Sequence, residues 1–281
     1  MKFSIKFSIP VLVAITIVYT ISLAMLNSAA GTQAKIPETR VTATPAEILI
    51  PQVSVQVPIL MYHYIREVDP AKDFLGADLS VTPEKFNEQL IFLREKGYTT
   101  ITLDDIMQAW EQGTPLPAKP VILTFDDGYD DFFTNAFPLL QKHSAKATTY
   151  VVSNFFDQPH YLTTSQLLEL AASPLITIAS HTQNHADLRV LKMSKLQEEL
   201  NNSKVALEKF ISKPVRHFAY PYGRFTNGIA QEVEKAGYKT ATTTLFGYDH
   251  TPKNRFTMKR VRVAGATSLT KFEKLLEPDT Y

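Results

Sequence analysis

Asp126 and Asp127 follow one another at the end of an apolar run that begins at Val121, in the stretch LTFDDGYDD, and His181 and His185 lie in the stretch SHTQNH. Adjacent carboxylates repel unless a positive charge intervenes or one of them is protonated. A divalent cation removes that conflict. Two histidines four residues apart offer it imidazole ligands from one side, provided the chain turns helically after its strand. Two His and one Asp leave a fourth position open for water, the pattern of a catalytic rather than a structural zinc site, and the second aspartate is then free to act as a base. Taken singly, DDG also reads as a turn or helix start and HxxxH as a solvated or capping pair; their joint presence on separate strands selects the metal reading. The chain has no cysteine, which excludes thiol nucleophiles, thiolate metal sites and disulfides, so any metal must be held by His, Asp or Glu.

These residues need a frame that brings strand ends together. Short apolar runs at 57–65, 120–128, 146–152, 175–182, 216–221, 239–244 and 260–265 read as strands, and helical patterns fall between them. One helix has Thr82 as its cap, Pro83 at the first helical position, Phe86, Leu90 and Leu93 on one face, and Gly97 as its stop. A second runs from Thr102 to Gly113 and carries Trp110, the single tryptophan, as a core residue. Further helices are expected over 130–143, 164–172, 194–210, 227–236 and from Ser268. Strands alternating with helices at this spacing predict parallel pairing in an α/β fold, a distorted (β/α) barrel whose reactive groups gather where strands end. Four such ends carry unusual polar residues: Asp126 with Asp127, His181, Tyr222 and, inside ILMYHYI, His63. Asp130 and Asp131 are expected to begin the next helix, where negative charge favours the amino end. His217 alternates with Phe218 and is expected to face outward, and His143, His160 and His250 have no assigned role.

With 281 residues, 44% hydrophobic and 20% charged, the chain can bury one sizeable core. A net charge of +1 without a basic block interleaved with aromatics excludes a nucleic-acid footprint. Lys2 and Lys6 precede an uncharged apolar stretch from Phe7 to about Leu26, followed by Ser28, Ala29 and Ala30. Residues 1–34 therefore read as a cleaved signal peptide or an uncleaved membrane anchor, either of which leaves the remainder outside the cytoplasm: secreted, periplasmic or membrane-attached. Residues 35–56 read as an extended linker and 57–281 as one catalytic domain, expected to be a monomer.

The segments TFDDG (124–128), SHTQNH (180–185) and FAYPYG (218–223) resemble the motifs of the polysaccharide deacetylases, the NodB-homology or carbohydrate esterase 4 domains, over roughly residues 57–275. The resemblance implies hydrolysis of acetamide groups on N-acetylglucosamine-containing glycans, with exopolysaccharide, peptidoglycan and chitin-like polymers all open. It also implies a divalent metal, usually Zn2+, with Co2+ or Ni2+ as alternatives. Asp127, His181 and His185 would be its ligands and Asp126 the general base. The main-chain N–H of Tyr222 would stabilise the oxyanion. O-acetyl ester cleavage, and a catalytically silent glycan-binding module of the same fold, are the alternatives.

Two departures from the family pattern matter. The third motif usually carries an arginine that partners the base, and Ala219 stands there; Arg216, Arg224, Arg260 and Arg262 are the candidates to replace it, each with a surface role as the default. The usual late-strand histidine acid is also missing. ILMYHYI resembles that motif moved to the front of the domain, as in circularly permuted deacetylases of poly-N-acetylglucosamine, which makes His63 the expected general acid. First and last strands of a closed barrel are neighbours, so the move keeps the side chain in the site. Asp69, Asp73 and Asp249 are candidates to orient His63.

Overall fold

A computed structural model of the chain describes residues 54–277. The signal or anchor expected over 1–34, and all but the last residues of the linker expected over 35–56, lie outside the described residues. Among the described residues no helix is long and apolar enough to cross a membrane.

Seven parallel strands form the frame: β1 (Ile59–Tyr62), β2 (Pro120–Phe125), β3 (Ala147–Val151), β4 (Ile176–Ser180), β5 (His217–Ala219), β6 (Thr240–Phe246) and β7 (Met258–Arg262). They pair in the ring order β1, β7, β6, β5, β4, β3, β2 and back to β1, which closes a barrel. The closing contacts are parallel: Leu60 opposes Val261, and Ile59 to Tyr62 oppose Ile122 to Phe125. The first and last barrel strands are therefore neighbours, as the displaced histidine motif requires. The helices are α1 (Phe74–Leu79), α2 (Pro83–Glu95), α3 (Leu103–Gln112), α4 (Phe137–His143), α5 (Thr164–Ala172), α6 (Met193–Ile211), α7 (Asn227–Lys235) and α8 (Leu269–Lys274). Thr82 and Thr102 cap α2 and α3 through their hydroxyls, and Gly113 ends α3 at φ 69°.

A strand's side chains alternate, and in a covered barrel both faces are buried. Leu60, Tyr62, Leu123, Phe125, Ile178, Phe218 and Val261 pack outward in one cluster with the helices. Ile59, Ile122, Tyr150, Ala179, Ala219 and Met258 form a second, inner cluster with Leu103, Ile106, Met107 and Trp110, so α3 stoppers the barrel at the end where its strands begin. Continuing the inner register two residues at a time leads to His63, Asp126, His181 and Arg260 at the opposite mouth. Parity alone thus gathers four groups from four strands. It also corrects the expectation for His217: sharing Ala219's inner parity, His217 is fully buried, its Nδ1 lies 2.9 Å from Thr240 Oγ1, and its Nε2 lies 3.5 Å from Asp104.

The helix expected over 130–143 is broken in character. Residues 132–136 form a π turn before α4, and the amide of Phe137 donates to Phe132 O. Pro138 has no N–H to continue the ordinary ladder, which favours the wider turn. The helix does begin at Asp130 and Asp131, as expected, but Asp131 is not solvated there. It is 6% exposed, makes no capping bond, and accepts from the Ile65 amide, while Asn135 Nδ2 donates to Ile65 O at 2.7 Å. Residues 131 and 135 thus hold both main-chain polar groups of Ile65, two residues beyond His63.

Burial pushes the Asp131 carboxyl up to about 7, against the Ile65 N–H and Arg66 that favour its charge. Its folded value lies above the unfolded value of about 3.9, so the folded state holds the extra proton; this contribution is full below pH 4 and is lost as pH rises through about 7. Asp131→Asn keeps the carbonyl acceptor and removes the charge. Urea unfolding of Asp131→Asn is expected to match the native protein at pH 4 and to show greater stability at pH 8, by at most about 4 kcal/mol. A less stable variant at pH 8 would refute burial as the cause.

Candidate functional site

Asp126 and Asp127 are adjacent in sequence and separate in space because the backbone changes hand between them. The Asp126 amide donates to Tyr62 O at 3.0 Å, prolonging the β1–β2 ladder and keeping Asp126 on the inner face. Asp127 then enters the left-handed region at φ 75°, followed by Gly128 at φ 76°. A Cβ on Gly128 would lie 3.3 Å from Val151 Cα, so a side chain there would crowd the neighbouring strand. The two carboxylates consequently meet different partners.

Asp126 meets Arg260. The guanidinium donates from Nη1 to Oδ1 and from Nη2 to Oδ2, both at 2.7 Å, from Nε to Thr243 O at 2.8 Å, and from Nη1 to Thr124 Oγ1 at 3.2 Å. Arg260 is 1% exposed, which corrects the surface role expected by default. The other three candidates are engaged elsewhere: Arg216 with Asp104, Arg224 with Asp187 and Arg262 with Asp78. Burial raises the Asp126 pKa, but the Arg260 charge and its paired hydrogen bonds outweigh burial and hold the carboxyl below its usual range. Asp126 is thereby kept ionised. Parity with Met258 narrows the late-strand candidates to Arg260 and Arg262 without choosing between them.

Asp127 meets the histidines. Its Oδ1 lies 3.4 Å from His181 Nε2 and 3.3 Å from His185 Nε2, and one donor atom from each of the three residues falls within 4.8 Å of the others. His181 Nδ1 lies 2.8 Å from Ala219 O, which can only accept. That bond places the proton on Nδ1 and turns the Nε2 lone pair toward Asp127. The residue standing where the resemblance expects an arginine thus orients His181 through its main-chain carbonyl. The loop from His181 to His185 is not the helical turn the spacing suggested: Thr182 and His185 are both left-handed, at φ 67° and 54°. Burial opposes charge on Asp127, yet its histidine contacts hold its carboxyl well below the ordinary value, and Asp127 and Asp126 outweigh burial to raise His181. Two nitrogens and a carboxylate oxygen, in a field that favours positive charge, fit a divalent cation.

His63 follows β1 at the same mouth. Burial pushes its pKa down, and Asp126 and Asp127 pull against that. The acidic residues acting on it are therefore these two and not the three expected. Asp69 accepts from the Ala71 amide, Asp73 caps α1 through the Gly76 amide, and Asp249 accepts from Gln56. Tyr222 is left-handed at φ 58° in the turn Pro221–Gly223, and its ring lies edge-on to His185 at 4.7 Å with the side chain 55% exposed. Gly223 is obligatory there, since a Cβ would collide with Thr244 Oγ1 and the Thr244 amide. His143 bonds to Asn87, His250 is buried against Val57 O, and neither belongs to the site.

The polysaccharide deacetylase family model matches residues 113–241, a span holding Asp126, Asp127, His181, His185 and Tyr222 but stopping short of His63 and Arg260. Over 222 residues the chain is 31% identical to a Bacillus subtilis (strain 168) protein assigned as the polysaccharide deacetylase YxkH, covering 79% of this chain and 76% of that one. It is 30% identical over 239 residues to a poly-beta-1,6-N-acetyl-D-glucosamine N-deacetylase of Escherichia coli (strain K12), across 69% of this chain and 35% of that longer protein. The solved structure of the Streptococcus pyogenes deacetylase PplD in complex with acetate superposes with a TM-score of 0.74 at 30% identity, covering 80% of this chain and 100% of that one. Matched in sequence and in barrel topology, this chain belongs to the polysaccharide deacetylase family.

Proposed function

We propose that the protein is a divalent-metal-dependent hydrolase that removes N-acetyl groups from an N-acetylglucosamine-containing polysaccharide outside the cytoplasm. The observation that carries this reading is the separation of two neighbouring aspartates, one clamped in its charged form by Arg260 and the other drawn into a cluster with two histidines. A cation held by Asp127, His181 and His185, zinc before cobalt or nickel, would supply Lewis acidity toward a water molecule and the acetyl carbonyl. Asp126 accepts the proton of the attacking water as the new C–O bond forms. The main-chain N–H of Tyr222 donates to the carbonyl oxygen as charge develops on it. His63 delivers a proton to the amide nitrogen as the C–N bond breaks, leaving acetate and a free amine on the sugar. The poly-N-acetylglucosamine activity named for the Escherichia coli relative supports an exopolysaccharide substrate. The apolar stretch behind Lys2 and Lys6 supports export.

Acetate release from poly-N-acetylglucosamine, chitin oligomers and peptidoglycan by the purified protein tests this. Chelation is expected to abolish release and Zn2+ to restore it. Asp126→Asn and His63→Ala are expected to lower kcat by roughly 10²–10⁴ while metal content is unchanged. Release that survives chelation would sink the metal reading, and release confined to O-acetylated polymers would make the protein an esterase. The Arg260 clamp makes a separate claim about pH. Arg260→Lys loses the paired bonds, which lets the Asp126 pKa rise, so the acid limb of the pH–rate profile moves to higher pH; an unmoved limb refutes the clamp's role.

A further inference from the structure

The loop that carries His185 is held from outside by α6. Leu196, Leu200, Ser203, Leu207 and Ile211 form the buried face of this helix, and Glu199 lies on the same face, 8% exposed. A carboxylate on a buried helix face requires partners, and the partners it has are neutral N–H donors of the loop. Its Oε2 accepts from the amides of Gln183 and Asn184, each at 2.9 Å, and its Oε1 accepts from Asn184 Nδ2 at 2.6 Å. One turn further along, Ser203 Oγ lies 2.7 Å from Ser180 Oγ at the end of β4. The opposite edge of the loop is held by main chain: the amides of Ser153 and Asn154 donate to Thr182 O and Gln183 O. The 182–183 and 183–184 peptides are thus bonded on both edges, and Glu199 is the acceptor for both of their N–H groups.

Thr182 and His185 occupy the left-handed region, which side chains other than glycine adopt only when the surroundings dictate it. His181 has an independent brace in Ala219 O. The contacts of His185 are Asp127 and the rings of His181 and Tyr222, so the direction of its imidazole follows from the backbone that Glu199 holds. We propose that Glu199 is the positioning residue for the metal-binding loop, acting on cation affinity through His185. This rests on the reading of Asp127, His181 and His185 as a metal centre. Outer groups that orient a ligand typically govern about 10–100-fold in metal affinity.

The test is Zn2+ titration of the full-length protein against a competing chelator, for the native chain, Glu199→Gln, His185→Ala and the double variant. Gln retains one oxygen for the two amides but sets an NH2 group against Asn184 Nδ2. Glu199→Gln is expected to weaken Zn2+ binding by about 10-fold or more in the native background. In the His185→Ala background, the same change is expected to have less than a two-fold effect, because the ligand it acts on is gone. Melting temperatures taken in chelator separate this from general loosening of the fold, which would weaken Zn2+ binding equally in both backgrounds. Equal loss in both, or no loss in either, overturns the role of Glu199 and leaves the metal centre standing. A native protein that binds no Zn2+ overturns the metal centre itself.

Discussion

The buried pair between Arg260 and Asp126 is the constraint on which the rest of the site depends. Two charges taken out of water lose hydration worth several kcal/mol each, and only good geometry and full hydrogen bonding offset that loss. Both conditions are met: two parallel bonds at 2.7 Å, with the remaining donors directed to Thr243 O on β6 and Thr124 Oγ1 on β2. One guanidinium therefore joins β2, β6 and β7, and it does so across β1, whose end carries His63. Such a pair is weak evidence for stability, since apolar replacements of similar volume are often neutral or better, whereas removal of one partner costs about 3–5 kcal/mol. Its presence is explained by the chemistry of the mouth: it keeps a carboxylate charged, oriented and dry beside a cluster that favours a cation.

Four of the eight left-handed residues other than glycine among the described residues belong to the same map. Asp127, Thr182, His185 and Tyr222 are all left-handed without being glycine, and each stands at the mouth. A regular strand would send Asp127 to the outer face, away from the histidines. Turning the chain through a disfavoured conformation brings its carboxylate back, and the surrounding hydrogen bonds hold it there. The barrel supplies inward groups by simple alternation; the left-handed turns supply the ones alternation would misdirect.

The parts legible in sequence were those whose signal is local. TFDDG and SHTQNH each fit within one strand end, and Thr82, Thr102 and Gly113 announced their helix boundaries through caps. Arg260 was not legible in that way, because its partner is 134 residues away and MKRVR offers two arginines of the same parity. Depth in the barrel separates them, with Arg260 inside and Arg262 at the rim beside Asp78. His217 was misread because alternation was equated with one wet face, a rule for half-exposed sheets that fails where helices cover the outer side. Asp131 and Glu199 were invisible for a related reason: a carboxylate on a helix reads as solvated until a neighbouring peptide is found to need an acceptor.

The closure of β7 onto β1 also sets an order in time. The chain is made from its N-terminus, so Asp126 exists before the arginine that neutralises it, and the loop of His181 and His185 precedes Arg260 as well. Until the last barrel strand docks, the shorter chain holds every proposed ligand and the proposed base, but the base has no counter-charge and β1 has no neighbour on one edge. The strand that completes the ring is thus also the one that brings Asp126 its counter-charge.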